Sequence, residues 1–184
     1  EEFDMTMNLN SSTLAKTPGF EISDPESISG YMSSAFRPNK SIINRNNAVV
    51  DFRHNSLKFG STTINLVRYG IEALVDAPPT GEIFLAMFTL SGAARIDQGD
   101  SQFTALPGSF CVLNPNRRLR IDLSSDFEQL TVRICGDAVR RSLRQLTHRE
   151  MNQPLEFTPH AYPLTEQAAS FGRLINTICD DSLH

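Results

Sequence analysis

Between residues 48 and 136 apolar and polar residues alternate in short runs cut by Asn, Ser, Gly and Pro. "AVVDFRH", "SLKFG", "TTINLVRYG" and "IEALVDA" come first, "PPTGE" interrupts, and "EIFLAMFTLSG", "AARIDQGD", "SQFTALPG", "SFCVLNPN", "RLRIDLSSD" and "FEQLTVRICG" follow. Strict alternation, as in Leu119, Ile121 and Leu123 against Arg118, Arg120 and Asp122, predicts strands with one buried face. The run "IFLAMF" is apolar throughout and predicts a central strand. Strands recurring at intervals of about 8–12 residues with turn residues between them predict an all-β barrel or sandwich.

Helical signals flank this β region. Ser23 or Asp24 is placed as an N-cap, with Pro25 in the first turn and Glu26 beside the positive helix end. From Gly136 onward the apolar period changes from two to near 3.6. Asp137 can cap a helix anchored by Val139, Leu143 and Leu146. A connector with three prolines, "MNQPLEFTPHAYP", leads to a second helix capped by Thr165, with Ala168, Phe171, Leu174 or Ile175, and Ile178 along one stripe. That stripe suits core packing. Because it follows a β unit that should already be complete, it also suits a self-association face. The division expected is a disordered segment over 1–20, an N-terminal helix and β-barrel over 21–136, and a helical segment over 137–184.

Composition narrows the function classes. The chain has 184 residues, 40% of them hydrophobic, enough for an ordinary core. A net charge of −4 argues against duplex binding by neutralised phosphates. No apolar run reaches 18 residues and no leader opens the chain, so a soluble cytoplasmic protein without a membrane partner is expected. Cys111, Cys135 and Cys179 form no CxxC pair, and the first two lie in apolar runs that suit reduced core thiols. His54, His148, His160 and His184 are scattered without ligand spacing, and no Gly-x-Ser-x-Gly or Gly-rich phosphate loop occurs. Neither a metal, a cofactor nor an enzyme is expected.

Arginine is the informative residue. Arg117, Arg118 and Arg120 suit alternating solvent-facing charge on a hairpin. Arg68 ends an apolar run beside Tyr69, whose ring could stack on a ligand or sit part-buried at a rim. Arg140 and Arg144 lie about 40° apart around a helix, with Arg141 about 60° further round. Such a fork can grip phosphate oxygens bidentately, or serve solubility and a local acidic partner.

A strand ending Tyr69-Gly70, then Leu90-Ser91-Gly92, Pro107-Gly108 with Asn114-Pro115, and Phe127-Glu128-Gln129-Leu130 form an ordered string running through residues 66–134. It resembles the N-terminal effector-binding domain of AraC/XylS-type transcription regulators, with similarity from about Phe20 onward. The resemblance implies a cupin-like, metal-free β-barrel followed by two helices. It implies effector binding, homodimerisation through the C-terminal helix, and DNA contact only through a C-terminal helix-turn-helix domain missing from these residues. In keeping with it, the cupin pattern Gly-x-x-x-x-x-His-x-His has no histidine near "IFLAMFTLSG". Members of the family sense sugars, aromatic acids and other metabolites. Arg140-x-x-x-Arg144 also resembles the Arg-x-x-x-Arg element by which PilZ domains hold cyclic di-GMP. The companion Asp/Asn-x-Ser-x-x-Gly is absent, since Asp122-Leu-Ser-Ser-Asp-Phe lacks the glycine. A surface site of Arg68, Tyr69, Arg140, Arg141 and Arg144 holding a cyclic dinucleotide is therefore expected if the helix packs against the strand end. A sugar or aromatic acid inside an apolar barrel, or a cupin-type small-molecule enzyme, are the alternatives.

Overall fold

The computed structural model describes residues 14–17, 19–36, 40–43, 50–149 and 153–182. Twelve strands form two antiparallel sheets among these residues. In chain order they are β1 (Gly19–Ile22), β2 (Lys40–Ile43), β3 (Phe52–Phe59), β4 (Thr62–Arg68), β5 (Ala73–Ala77) and β6 (Ile83–Ser91). Then follow β7 (Ala94–Gln98), β8 (Ser101–Ala105), β9 (Ser109–Leu113), β10 (Leu119–Leu123), β11 (Glu128–Cys135) and β12 (Tyr162–Pro163). The larger sheet runs β1-β3-β4-β11-β6-β9-β12 and the smaller β2-β5-β10-β7-β8. The expected barrel is thus an open sandwich of two sheets. Strands β1, β2 and β12 fall where the sequence showed no β pattern. The pieces "AVVDFRH" and "SLKFG" join in the single strand β3.

Three helices given in full by the described residues accompany the sheets: α1 (Pro25–Ala35), α2 (Gly136–Thr147) and α3 (Glu166–Asp181). Asp24 caps α1, its carboxylate accepting from the amides of Glu26 and Ser27. The expected cap at Asp137 is displaced: α2 already starts at Gly136 after Cys135, and Asp137 sits in the first turn, where it pairs with Arg140. Thr165 does occupy the N-cap position of α3, without a side-chain capping bond.

Alternation along the larger sheet gives it two apolar faces. Phe52, Val67, Tyr69, Met87 and Cys111 face the smaller sheet and share a core with Ile96, Leu119, Ile121 and Leu123. Ile64, Leu66, Ala86, Phe88, Leu130 and Val132 point the other way and are covered by α3 through Ile175 and Cys179. The helix stripe is therefore buried on the chain's own sheet, in the register of Ala169, Gly172, Ile175 and Cys179, while Leu174 turns outward at 55% exposure. Ala168, expected in that stripe, has its side chain outside the described residues. The disorder expected over 1–20 does not extend to its end. Leu14 is fully buried in the outer cluster and β1 begins at Gly19, while 1–13 and 18 lie outside the described residues.

Crossings between the sheets rest on glycine. Gly70, between β4 and β5, has φ +65°, and a Cβ there would stand 2.5 Å from the Asp51 carbonyl oxygen. Gly92, between β6 and β7, has φ +66° and similarly little room against Phe127. Asn114 holds the connector to α3. Its side chain accepts from the Phe157 amide and donates to the Phe157 carbonyl, both at 2.8 Å, as a strand neighbour would. Gln98 bridges to the Asn114 backbone from the smaller sheet through two further bonds.

Candidate functional site

The same alternation that builds the core leaves a space between the sheets. Met32 of α1 and Phe36, its C-cap, line one side, and Leu119, Ile121 and Leu123 of β10 line another. Gln129 and Thr131 of β11 face it from the larger sheet. The cavity measures about 80 Å³. Among the described residues no lining side chain carries a charge at neutral pH.

The expectation of an apolar inward set needs correcting at the centre of the larger sheet. Tyr31 of α1, His54 of β3 and Asn65 of β4 form a buried hydrogen-bonded series with the backbone of Thr131. The Asn65 amide nitrogen donates to the carbonyls of Thr63 and Thr131, which turns its oxygen toward His54. His54 must then donate from Nε2, at 3.1 Å, and accept the Tyr31 hydroxyl at Nδ1, at 2.7 Å. Burial lowers the His54 pKa below the ordinary imidazole value, only partly opposed by the bond to Asn65. Arg133, next on the inner face of β11, donates to the Ala35 carbonyl and lies 6.0 Å over the Phe36 ring. Gln129 Oε1, Thr131 Oγ1 and Arg133 Nε, at alternate positions of β11, are each buried with no hydrogen-bond partner among the described residues. Short alternating strands signalled this inward polarity only through the parity of Gln129, Thr131 and Arg133 in "FEQLTVRI".

The five residues expected to form a surface site are not brought together. Arg68 faces the outer side of the sheet, where its guanidinium lies 3.7 Å from Asp51. Tyr69 faces inward at 2% exposure, its ring edge-on to Phe52, so it cannot stack beside Arg68. Arg68 pairs across the sheet with Glu128, whereas α2 starts after Cys135 at the far end of the same strand. At a rise of about 3.3 Å per residue that separation is roughly 25 Å. Arg140 bonds Asp137, Arg141 and Arg144 are exposed, and only α2 carries all three. Leu146, expected as an anchor of that helix, is 80% exposed, leaving Val139 and Leu143 half-buried.

Other chemistry is not assembled here. Among the described residues no three His, Cys, Asp or Glu side chains converge on a metal-sized space. Burial pushes the Cys111 thiol up to about 12, which removes it as a nucleophile. No helix among the described residues is long and apolar enough to cross a membrane.

The family model of the AraC-binding-like domain matches residues 30–184. The chain belongs to that family. The fold of this AraC-binding-like domain is shared by the AraC-like transcriptional activator CuxR, whose crystal structure superposes with a TM-score of 0.64 at 10% identity over 89% of this chain. The match covers 61% of the activator, so the chain spans about three-fifths of its length. More partial likenesses are to the Schizosaccharomyces pombe Cnp3 cupin domain (TM-score 0.41, 12% identity, 58% of this chain and 92% of that one). The S161A mutant of Bacillus subtilis oxalate decarboxylase OxdC is similar over 52% of this chain and 29% of its own (TM-score 0.39, 11% identity). No curated protein sequence matches the AraC-binding-like domain described here. In this AraC-binding-like domain the cavity lies between the two sheets.

Proposed function

We propose that this domain is the non-enzymatic sensor part of an AraC-type transcription regulator and binds its effector between the sheets. The observation that carries this reading is the apolar cavity between the sheets with two unpartnered buried oxygens, Gln129 Oε1 and Thr131 Oγ1. Apolar walls with a few convergent polar groups are the usual form of a small-molecule site. Met32 and Phe36 line the cavity, and Tyr31 on the same helix reaches Thr131 through His54 and Asn65. An effector touching these residues favours one position of α1 over another by as much as its contacts differ between the two. DNA contact belongs to a separate domain of the regulator.

The test is a calorimetric titration against sugars, aromatic acids and cyclic dinucleotides, with Ala77→Phe as the control that fills the cavity. Loss of binding by at least tenfold in Ala77→Phe is the expected result. Undiminished binding in that variant, with its fold intact, rejects the cavity as the effector site.

A cyclic dinucleotide on the surface is the second reading, favoured by the exposed arginines of α2. Such a ligand exceeds a cavity of about 80 Å³, since sites for drug-sized molecules run to roughly 300–1,000 Å³. With Arg68 and Tyr69 elsewhere, the grip falls to Arg140, Arg141 and Arg144. In this reading Arg144→Ala weakens cyclic di-GMP binding by about 1.5–3 kcal/mol without moving the melting temperature, and unchanged affinity rejects it. For a homodimer, α2 with its exposed Leu146 is one candidate surface beside the outward face of α3. Sedimentation of Leu146→Asp against the parent chain tests that assignment.

A further inference from the structure

The polar atoms around the cavity divide into those already engaged and those left open. Asn65 makes three bonds, with its oxygen and both amide hydrogens used, and His54 is engaged at both ring nitrogens. Gln98 and Asn114 satisfy each other and the connector. Among the described lining residues one pure acceptor, Gln129 Oε1, and one hydroxyl, Thr131 Oγ1, remain without a hydrogen-bond partner, two residues apart on the same face of β11. Both lie beside apolar walls and away from any charged lining side chain.

We propose that the cavity takes an uncharged, hydroxyl-bearing molecule of one ring or a short chain, its hydroxyl donating to Gln129 Oε1 and accepting from Thr131 Oγ1. This rests on the cavity being the effector site and names what that site selects. Among the described lining residues a carboxylate would find no cation to receive it. Arg133, the next inward residue of β11, is not among the described lining residues: it donates to the Ala35 carbonyl and lies 6.0 Å over the Phe36 ring, with its Nε buried without a hydrogen-bond partner. A buried unpaired charge is disfavoured far more than a neutral head. An entirely apolar ligand would leave Gln129 Oε1 buried and unpaired, which is where a site built for a hydroxyl discriminates. Size points the same way. A dry cavity of about 150 Å³ holds benzene. The present 80 Å³ therefore admits a single ring only with modest shifts of Met32 and Met87, the flexible side chains in its wall.

The experiment compares three probes of one shape class on the full chain: phenol, toluene and benzoate. Titrations are followed by the methyl resonances of Met32 and Met87, which report cavity entry. Phenol is expected to bind at least tenfold more tightly than toluene, and benzoate to leave both methyls unmoved. In Gln129→Leu/Thr131→Val the tenfold preference disappears while toluene binds at least as well as before. This near-isosteric pair removes the unpaired oxygens, so its melting temperature should not fall, and a merely structural role for the two residues would not change which probe is preferred. Equal binding of phenol and toluene to the parent chain overturns the proposal. Benzoate binding at the methyls as tightly as phenol overturns the ligand class while leaving the cavity as the effector site. No methyl shift with any of the three overturns the site and the class together.

Discussion

Asn65→Ala is expected to destabilise the fold by about 3 kcal/mol, because it leaves the His54 Nε2–H and the Asn65-bonded carbonyls of Thr63 and Thr131 without that partner in the interior. For a domain of this length the melting temperature should fall by roughly 6–12 °C. Removing both ends of the central bond is milder than the sum suggests. In His54→Leu/Asn65→Leu neither polar group remains to be left unpaired, so a double-mutant cycle should show coupling of at least about 1 kcal/mol. Purely additive effects would mean that the two side chains do not act as a unit. The same network sets a pH dependence. Burial lowers the folded-state pKa of His54 below its ordinary value of 6.5, so the unfolded chain takes up a proton more readily than the folded one. His54 therefore destabilises nothing above about pH 6.5, and stability declines as pH falls from there through the lowered folded-state value. Melting curves between pH 8 and 5 should show this decline in the parent chain and a shallower one in His54→Gln. Equal slopes would remove His54 from the account.

Most of the β framework was legible because its strands are one-sided. Leu119, Ile121 and Leu123 alternate with Arg120 and Asp122, and all three leucine and isoleucine positions are buried as the period requires. The missed strands lack that signal. Gly19–Ile22 and Tyr162–Pro163 exist by pairing with β3 and β9, a long-range choice that local pattern does not carry. Closure of the barrel was likewise beyond reach, since it depends on which edge strands meet. The larger sheet is covered on both faces, so both parities of its strands carry apolar residues and the pattern conceals which one faces the cavity. That ambiguity hid Gln129 and Thr131, and it made adjacent Arg68 and Tyr69 look like one site when successive residues of a strand point to opposite faces. Arg140 and Arg144 were placed on one helix face from spacing alone, and the helix is there. Which strand end that helix stands beside is fixed by the pairing of β11 with β4, which no helical period contains.

Whether α3 is core or interface decides what the C-terminal third of the chain does, and adjacent residues separate the two. Ile175→Asp should be severely destabilising, on the order of 4 kcal/mol or complete undocking of the helix. The position is 2% exposed in the cluster formed by Leu14, Ile64, Leu66 and Phe88, and truncation of a buried isoleucine alone is worth about 2–5 kcal/mol before any carboxylate is buried there. Leu174→Asp, one position along and 55% exposed, should change stability by no more than about 0.5 kcal/mol. From the sheet side, Phe88→Ala should reproduce much of the loss, because its fully buried ring packs 5.7 Å from Phe171 of the helix and 5.2 Å from Phe110. Hydrogen exchange then distinguishes helix release from global unfolding. Loss of protection confined to 166–181 in Ile175→Asp means that the sandwich stands without its cover, and the exposed outer face of Leu66, Ala86 and Val132 becomes an aggregation site. A neutral Ile175→Asp together with a Leu174→Asp variant that alters the sedimentation coefficient would reverse the assignment, making the outward stripe the functional face. The geometry favours the first outcome, because the residues that α3 buries lie three or four positions apart on a single face and meet the apolar outer face of the larger sheet.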